Sequence, residues 1–131
     1  MSARQIAYVV TTLLAVLAFA GSGVANLVRA EHLASDMAHL GYPPYFMTVL
    51  GTWKVLGAIT IALPGLARPK EWAYAGMIFD LTGAAASRAA TGDGGAMVLV
   101  PLVIACAVAA SWATRPPTRR LAAAITTPRS T

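Results

Sequence analysis

Apolar residues along the 131-residue chain are concentrated in four long runs, which short polar segments separate. Each run has about 19 residues or more, close to the roughly 20 that a 30 Å hydrocarbon core requires of a helix. Lipid offers a backbone no hydrogen bonds, so runs of this kind form helices. The pattern predicts an all-α fold, an antiparallel bundle of four transmembrane helices. The expected spans are residues 6–28, 45–63, 72–90 and 96–114.

The segment between the first two runs is polar, but its few apolar side chains recur at helical spacing. Leu33, Met37 and Leu40, within residues 29–42, fall on one face of a helix. A helix with one apolar and one polar face lies on a membrane surface and does not cross it. We therefore predict a short amphipathic surface helix between helices 1 and 2.

The distribution of charge gives these helices a direction. Charged residues make up only 11% of the chain, whereas a soluble domain has about 25%. Seven basic residues lie in the N-terminus, the loop 64–70 and the tail, against two in the other loops. The positive-inside rule then places both termini on the cytoplasmic side of the cell (plasma) membrane. Basic residues do not form a stripe interleaved with aromatics, which argues against nucleic acid as a partner.

The same features define the domain organisation. We expect residues 1–115 to form a single transmembrane domain, and residues 116–131 to form a mobile basic tail in the cytoplasm.

Cys106 is the one cysteine, which excludes an intramolecular disulfide. Its place inside an apolar run predicts a small buried hydrophobic residue.

Two charged residues interrupt the apolar runs near their middle. Lys54 lies about ten residues into the second run and Asp80 about nine residues into the third, so a rise of 1.5 Å per residue puts both near the membrane midplane. An isolated charge there costs about 2.5–3.5 kcal/mol on insertion scales. We therefore expect Lys54 and Asp80 to face each other inside the bundle. Intramembrane ionisable residues are candidates for function; the alternative is a pair that only holds two helices together.

Small and polar residues recur at helical spacing on one face of three runs. Small residues allow helices to approach closely, and the polar members predict a pocket that opens toward the outer face. The stripes are Thr11, Ala15, Ala18, Ser22 and Asn26; Met47, Gly51, Lys54 and Ala58; and Ala73, Gly76, Asp80, Gly83 and Ser87. The candidate catalytic residues are Asp80 and Lys54, and the candidate ligand-binding residues are Ser22, Asn26, Trp53, Ser87 and Arg88.

Other motifs indicate no defined chemistry. His32, Asp36 and His39 share one face of the surface helix and could approach a metal ion, but solvated surface residues are the commoner explanation, and we assign no metal site. The glycine-rich residues 91–95 lack the lysine and the strand-to-helix setting of a phosphate loop, so we interpret them as a turn.

Several local motifs resemble those of a known family. The segments Leu40–Pro43, Leu50–Ala58, Lys70–Gly76 and Gly83–Ser87 are similar to those of the DoxX-like family of small four-helix membrane proteins, over residues 5–114. The resemblance implies a four-helix membrane bundle, with Glu71 matching an acidic residue of the family. The chain departs from the family at Arg88, where a histidine is usual. Related proteins are associated with quinone-linked thiosulfate oxidation and with oxidative-stress complexes.

Three functions fit these observations. The first is binding of a lipophilic small molecule, quinone- or isoprenoid-like, by a subunit or partner of a membrane oxidoreductase. The chain has no cysteine pair, haem-ligand spacing or dinucleotide motif, so electron transfer would require a redox partner protein. The second is a cofactor-free isomerase or cyclase that uses Asp80 and Lys54 for proton transfer. The third is a non-catalytic assembly or transport accessory, for which a homo-oligomer is one option. The cofactor, ligand and catalytic status stay open.

Overall fold

The computed structural model describes residues 1–117, which form five α-helices and no strand within that range. The all-α prediction is confirmed, and the surface helix appears between the first two long helices. Residues 118–131, most of the expected tail, lie outside the described part of the chain. The elements are α1 (Ala3–Leu27), α2 (Glu31–Leu40), α3 (Tyr45–Ala62), α4 (Ala67–Ala90) and α5 (Gly95–Ala113).

Three of these helices, α1, α3 and α5, are long and apolar enough to cross a membrane. Helix α4 is 24 residues long, but charged residues in its first turns and at Asp80 make it less apolar than the others. It begins at Ala67, five residues before the predicted start at 72, because Pro69 falls within the first turn, where a missing N–H breaks no helical bond.

The long helices pack in the cyclic order α1, α3, α4, α5, so that each contacts two others. The close approach of α1 to α3 depends on two glycines, since a methyl group at Gly51 would lie 2.7 Å from the Gly23 carbonyl oxygen. The start of α1 lies beside the end of α5, where Arg4 donates a hydrogen bond of 3.3 Å to the Ala113 carbonyl. We call this end of the molecule the terminal end and the opposite one the α2 end.

The stripe of small residues on α4 predicted that its face would be buried against another helix, but a different face of α4 is buried. Gly76 and Gly83 are exposed, and a methyl group at either would meet nothing within 4 Å. Large side chains bury more apolar area than glycine, so α4 turns them inward instead. Its buried residues are Lys70, Tyr74, Met77, Leu81 and Ala85.

The core lies mainly toward the terminal end and takes residues from α1, α3, α4 and α5. Phe19, Ile61, Met77 and Val108 are among its buried members. Cys106 is exposed, so the prediction of a buried cysteine was wrong. It lies two residues from buried Val108, on another face of α5, and has no part in the core.

A candidate ligand-binding cleft between α3 and α4

Lys54 and Asp80 form an ion pair between α3 and α4. The Nζ atom of Lys54 lies 3.9 Å from Oδ2 of Asp80, which confirms the predicted pairing. The side chains keep 17% and 23% of their surface exposed, so each can reach a molecule beside them. The pair therefore combines charge compensation with access, unlike a sealed ion pair in a core.

A cleft of about 360 Å³ adjoins this pair. Its walls are mostly apolar, and Phe19 of α1 lies among the lining residues. From α3 the lining residues are Leu50, Trp53, Lys54, Leu56, Gly57 and Thr60. From α4 they are Pro69, Trp72, Ala73, Gly76, Met77 and Asp80. A space of this composition suits an apolar molecule with a small polar head, since a few placed polar groups in an apolar pocket fix orientation.

The sequence suggested a pocket that opens toward the outer face, but the observed cleft opens sideways, between α3 and α4. Trp53 and Trp72 line it and are 69% and 76% exposed, so they form the lips of a lateral opening. Trp53, one of the candidate ligand-binding residues, thus lines the cleft beside Lys54.

Two other candidate residues, Ser22 and Asn26, lie away from the cleft. The Asn26 amide donates to the carbonyl oxygen of Ser22 at 2.8 Å, within α1. Asn26 Oδ1 is buried with no hydrogen-bond partner among the described residues. Neither residue lines the cleft, although Gly23, between them in the sequence, lies beside Lys54: a methyl group there would be 3.0 Å from Lys54 Cβ.

Ser87 and Arg88 are likewise outside the cleft, and they join α4 to α2 and the segment after it. The Ser87 hydroxyl is 2.5 Å from the Tyr42 hydroxyl, and the Tyr42 ring stacks on Phe46 with centroids 4.9 Å apart. Tyr42 therefore bridges α3 and α4 at the α2 end; we call the Tyr42–Ser87 contact the tyrosine latch.

A charged cluster adjoins the latch. Arg88 donates to Asp36 of α2 at 3.0 Å and to Asp93 of the α4–α5 loop at 3.1 Å. His39 lies 2.7 Å from the same Asp93. The hydrogen bonds from His39 and Arg88 lower the pKa of Asp93. Asp36 is thus engaged in an ion pair with Arg88 and His39 in a hydrogen bond with Asp93. Within residues 1–117 no group of three or more His, Cys, Asp or Glu could hold a metal ion.

Sequence reasoning missed a hydrogen-bonded chain of hydroxyls in the core at the terminal end. Ser111 Oγ lies 2.6 Å from Thr12 Oγ1 and 2.7 Å from the Tyr74 hydroxyl, so one serine links α1, α4 and α5. All three residues are buried. The available signal was that each lies within a few residues of the same predicted membrane boundary.

Glu71 belongs to a second contact at this end. Its carboxylate accepts from Arg115 at 2.6 Å and from the Trp112 indole at 3.0 Å, while the Arg115 guanidinium lies 4.9 Å from the Trp112 ring centroid. These contacts border another groove, of about 380 Å³ between α4 and α5. Glu71 therefore joins α4 to the end of α5.

Apolar helices of membrane-spanning length and an ion pair between two packed helices are features of a multi-pass α-helical membrane protein in contact with the lipid bilayer. The model of the DoxX-like family matches residues 10–111, and the chain belongs to that family. The resemblance seen in the local motifs is confirmed. Comparison with curated proteins and with solved structures found no match.

Proposed function

We propose that this DoxX-like protein binds a lipophilic small molecule, quinone- or isoprenoid-like, in the cleft between α3 and α4, as a subunit or partner of a membrane oxidoreductase. The observation that carries the proposal is the position of the Lys54–Asp80 pair at the edge of an otherwise apolar, side-opening cleft. A pair that served only to join two helices would need no such space beside it.

In our proposal the chain crosses the membrane four times, and α4 crosses it in addition to α1, α3 and α5. Helix α3 ends near the terminal end and α5 begins at the α2 end, so the chain has to return between them, and 24 residues at 1.5 Å each reach about 36 Å. Between Trp72 and Ser87 the only charged residue of α4 is Asp80, which Lys54 compensates. The basic residues of the terminal end support a cytoplasmic location for both termini, in the plasma membrane.

The pair would act on the polar head of the ligand. The Lys54 ammonium has only donors and suits a carbonyl or hydroxyl oxygen, while the Asp80 carboxyl group can accept a proton from the head or return one. In a site with little water these interactions are stronger than at a protein surface. Trp53 offers a flat apolar face against which a ring can stack.

Quinone reduction consumes two electrons and two protons. In our proposal Lys54 and Asp80 hold the head and pass protons, and a partner oxidoreductase supplies the electrons. The proximity of the acid and the base also supports a second candidate, a cofactor-free isomerase or cyclase, in which Asp80 would remove a proton from one carbon of the ligand and return it to another. That reaction requires no partner.

The three tryptophans provide a direct binding test. Trp53 and Trp72 line the cleft, whereas Trp112 lies in the other groove. In nanodiscs, decylubiquinone should quench Trp53 saturably in the W72F/W112F variant and quench Trp112 without saturation in W53F/W72F. Unsaturable quenching of both would refute the proposal and leave the cleft filled by ordinary lipid.

The variant D80N tests the role of the pair in binding. It keeps the shape of the side chain and removes its charge, so we expect binding to weaken about tenfold or more, because hydrogen bonds to charged groups contribute about 1.5–3 kcal/mol. Thr82→Ala, on an exposed part of the same helix, is the matched control. Unchanged binding in a stable D80N protein would favour the accessory role over either catalytic one.

Activity separates the two catalytic candidates. Membranes that contain the protein should reduce decylubiquinone faster than membranes with D80N, and the purified protein alone should not reduce it. Conversion of an isoprenoid to an isomer by the purified protein would support the isomerase instead.

A further inference from the structure

The cleft extends from the Lys54–Asp80 pair mainly toward the terminal end. Apart from Leu50 and Trp53, the lining residues of α3 and α4 run from the pair toward the connection between the two helices. From Asp80 to Pro69 is eleven residues, about 16 Å of helix. The polar head site therefore lies at the deep end, and an apolar channel leads away from it.

The tyrosine latch lies in the opposite direction, at the α2 end. Ser87 follows Asp80 by two helical turns on the same face of α4, and the Tyr42 hydroxyl binds it there at 2.5 Å. The Tyr42 ring continues the cover across to Phe46 at the start of α3. Binding of Arg88 to Asp36 holds α2 beside this cover. A molecule approaching from the α2 end would have to displace these contacts.

The head site carries one positive and one negative charge, which compensate each other. An ionised head would add an unpaired charge near the membrane midplane, where it costs several kcal/mol. A phosphate-bearing lipid would also have to bring its head away from the interface to reach Asp80. A neutral head with oxygen acceptors meets neither obstacle.

We propose, on the basis of the function above, that the cleft takes a neutral, single-chain amphiphile head first from the half of the membrane nearer the terminal end, and that the tyrosine latch closes the other route. The head stops at Lys54 and Asp80, and the tail leaves between the lips formed by Trp53 and Trp72. In the proposed topology this half is the cytoplasmic leaflet. The protein would thus select its ligand by head charge and by the leaflet from which it enters.

Two glycines of α4 provide a matched test of the entry side. Gly76 lines the cleft and Gly83 does not, yet both are exposed and a side chain at either meets nothing within 4 Å. Gly76→Leu should fill the channel and weaken saturable quenching of Trp53 by decylubiquinone at least tenfold. Gly83→Leu, two turns beyond it on the same face, should leave binding within about twofold. Thr60→Leu fills the channel from α3 and should repeat the effect of Gly76→Leu.

Two further measurements test the tyrosine latch and the charge of the ligand head. Tyr42→Phe removes the hydroxyl contact that closes the route from the α2 end, so saturable quenching of Trp53 should become faster. Farnesyl pyrophosphate should compete at least tenfold less well than farnesol for the Trp53 site. An unchanged rate in Tyr42→Phe, normal binding in both channel-filling variants, or equal competition by the charged lipid would overturn the inference. Each of these results is read against saturable binding by the wild type, whose absence would instead refute the proposed function.

Discussion

Gly23 of α1 and Gly51 of α3 face each other at the closest contact between those helices. A methyl group at Gly51 would lie 2.7 Å from the Gly23 carbonyl oxygen and 2.8 Å from Leu27 Cγ, and one at Gly23 would lie 2.9 Å from Val55 Cγ2. The Gly23 carbonyl oxygen belongs to the backbone, so it cannot move aside as a flexible side chain could. The contact sets the distance between α1 and α3, and through it the position of Lys54.

Gly51→Ala should therefore lower stability. Overpacking of a tight contact costs about 1–3 kcal/mol, and here the clash is with backbone, so α1 and α3 have to separate. Gly21→Ala is the control, because a methyl group there meets nothing within 4 Å. Thermal unfolding in detergent should show a lower Tm for Gly51→Ala and a Tm at or above the wild-type value for Gly21→Ala. Equal Tm values for the two variants would contradict the contact.

Removal of one member of the Lys54–Asp80 pair should cost more than removal of both. Lys54→Met or Asp80→Leu leaves one uncompensated charge in an apolar setting, and we expect a loss of about 1–3 kcal/mol for each because the pair is partly accessible. The double variant removes both charges and should be clearly more stable than the sum of the single losses predicts. Denaturation of the wild type, the two single variants and the double variant gives a double-mutant cycle. Strictly additive losses would show that the residues do not interact.

Glu71→Ala should destabilise the terminal end of the protein. Arg115 is 7% exposed, and loss of the carboxylate 2.6 Å from its guanidinium leaves a buried charge with less compensation, at a cost of about 1–3 kcal/mol. The emission of Trp112 should change as well, because its indole loses the same acceptor. Glu31→Ala, at an exposed site in the first turn of α2, should alter neither Tm nor emission, and a similar effect of both substitutions would refute this role.

Docking of α2 should weaken in strong acid. The pKa of Asp93 lies below its ordinary value of 3.8 because His39 and Arg88 hydrogen-bond the carboxylate. A lowered folded-state pKa stabilises the docked state at pH values above the ordinary pKa, and this stabilisation is lost as the pH falls through the lowered pKa. Asp36, bound to the same Arg88, shares the cluster.

Hydrogen exchange of residues 31–40, corrected for its intrinsic dependence on pH, measures this transition. Titration of Asp93 should leave the protection of these amides unchanged from neutral pH to about pH 4, and should reduce it at lower pH. In Asp93→Asn protection should already be reduced at neutral pH, and the acid step should be smaller. An acid transition of the same size in that variant would assign it to other groups.

Hydrophobic runs and turn residues were sufficient to predict most helix boundaries. The second run was expected at 45–63 and α3 is Tyr45–Ala62; the fourth was expected at 96–114 and α5 is Gly95–Ala113. The positions of Lys54 and Asp80 near the middle of their helices were also predictable, because the rise of a helix is constant. Their pairing followed because two charges near one membrane depth are least costly together.

The lining of the site was only partly predictable. Trp53 adjoins Lys54 in sequence and reaches the cleft, but Ser87 and Arg88 bind the α2 region instead. Residues that share a helical face with Asp80 need not share its pocket, since two turns along the helix are about 11 Å apart. The partner of Ser87 is Tyr42, which lies 45 residues earlier in the chain. No local pattern in α4 encodes that contact.

The sequence by itself determined which segments are helices, that long apolar helices suit a membrane, and that an acid and a base near the middle of their helices pair. Tertiary structure alone decided which face of α4 turns inward and therefore where the cleft opens. A period of 3.6 residues defines faces relative to a helix's own axis. Its rotation against its neighbours depends on the area that Tyr74, Met77 and Leu81 bury together, a quantity that exists only once α1, α3 and α5 are in place.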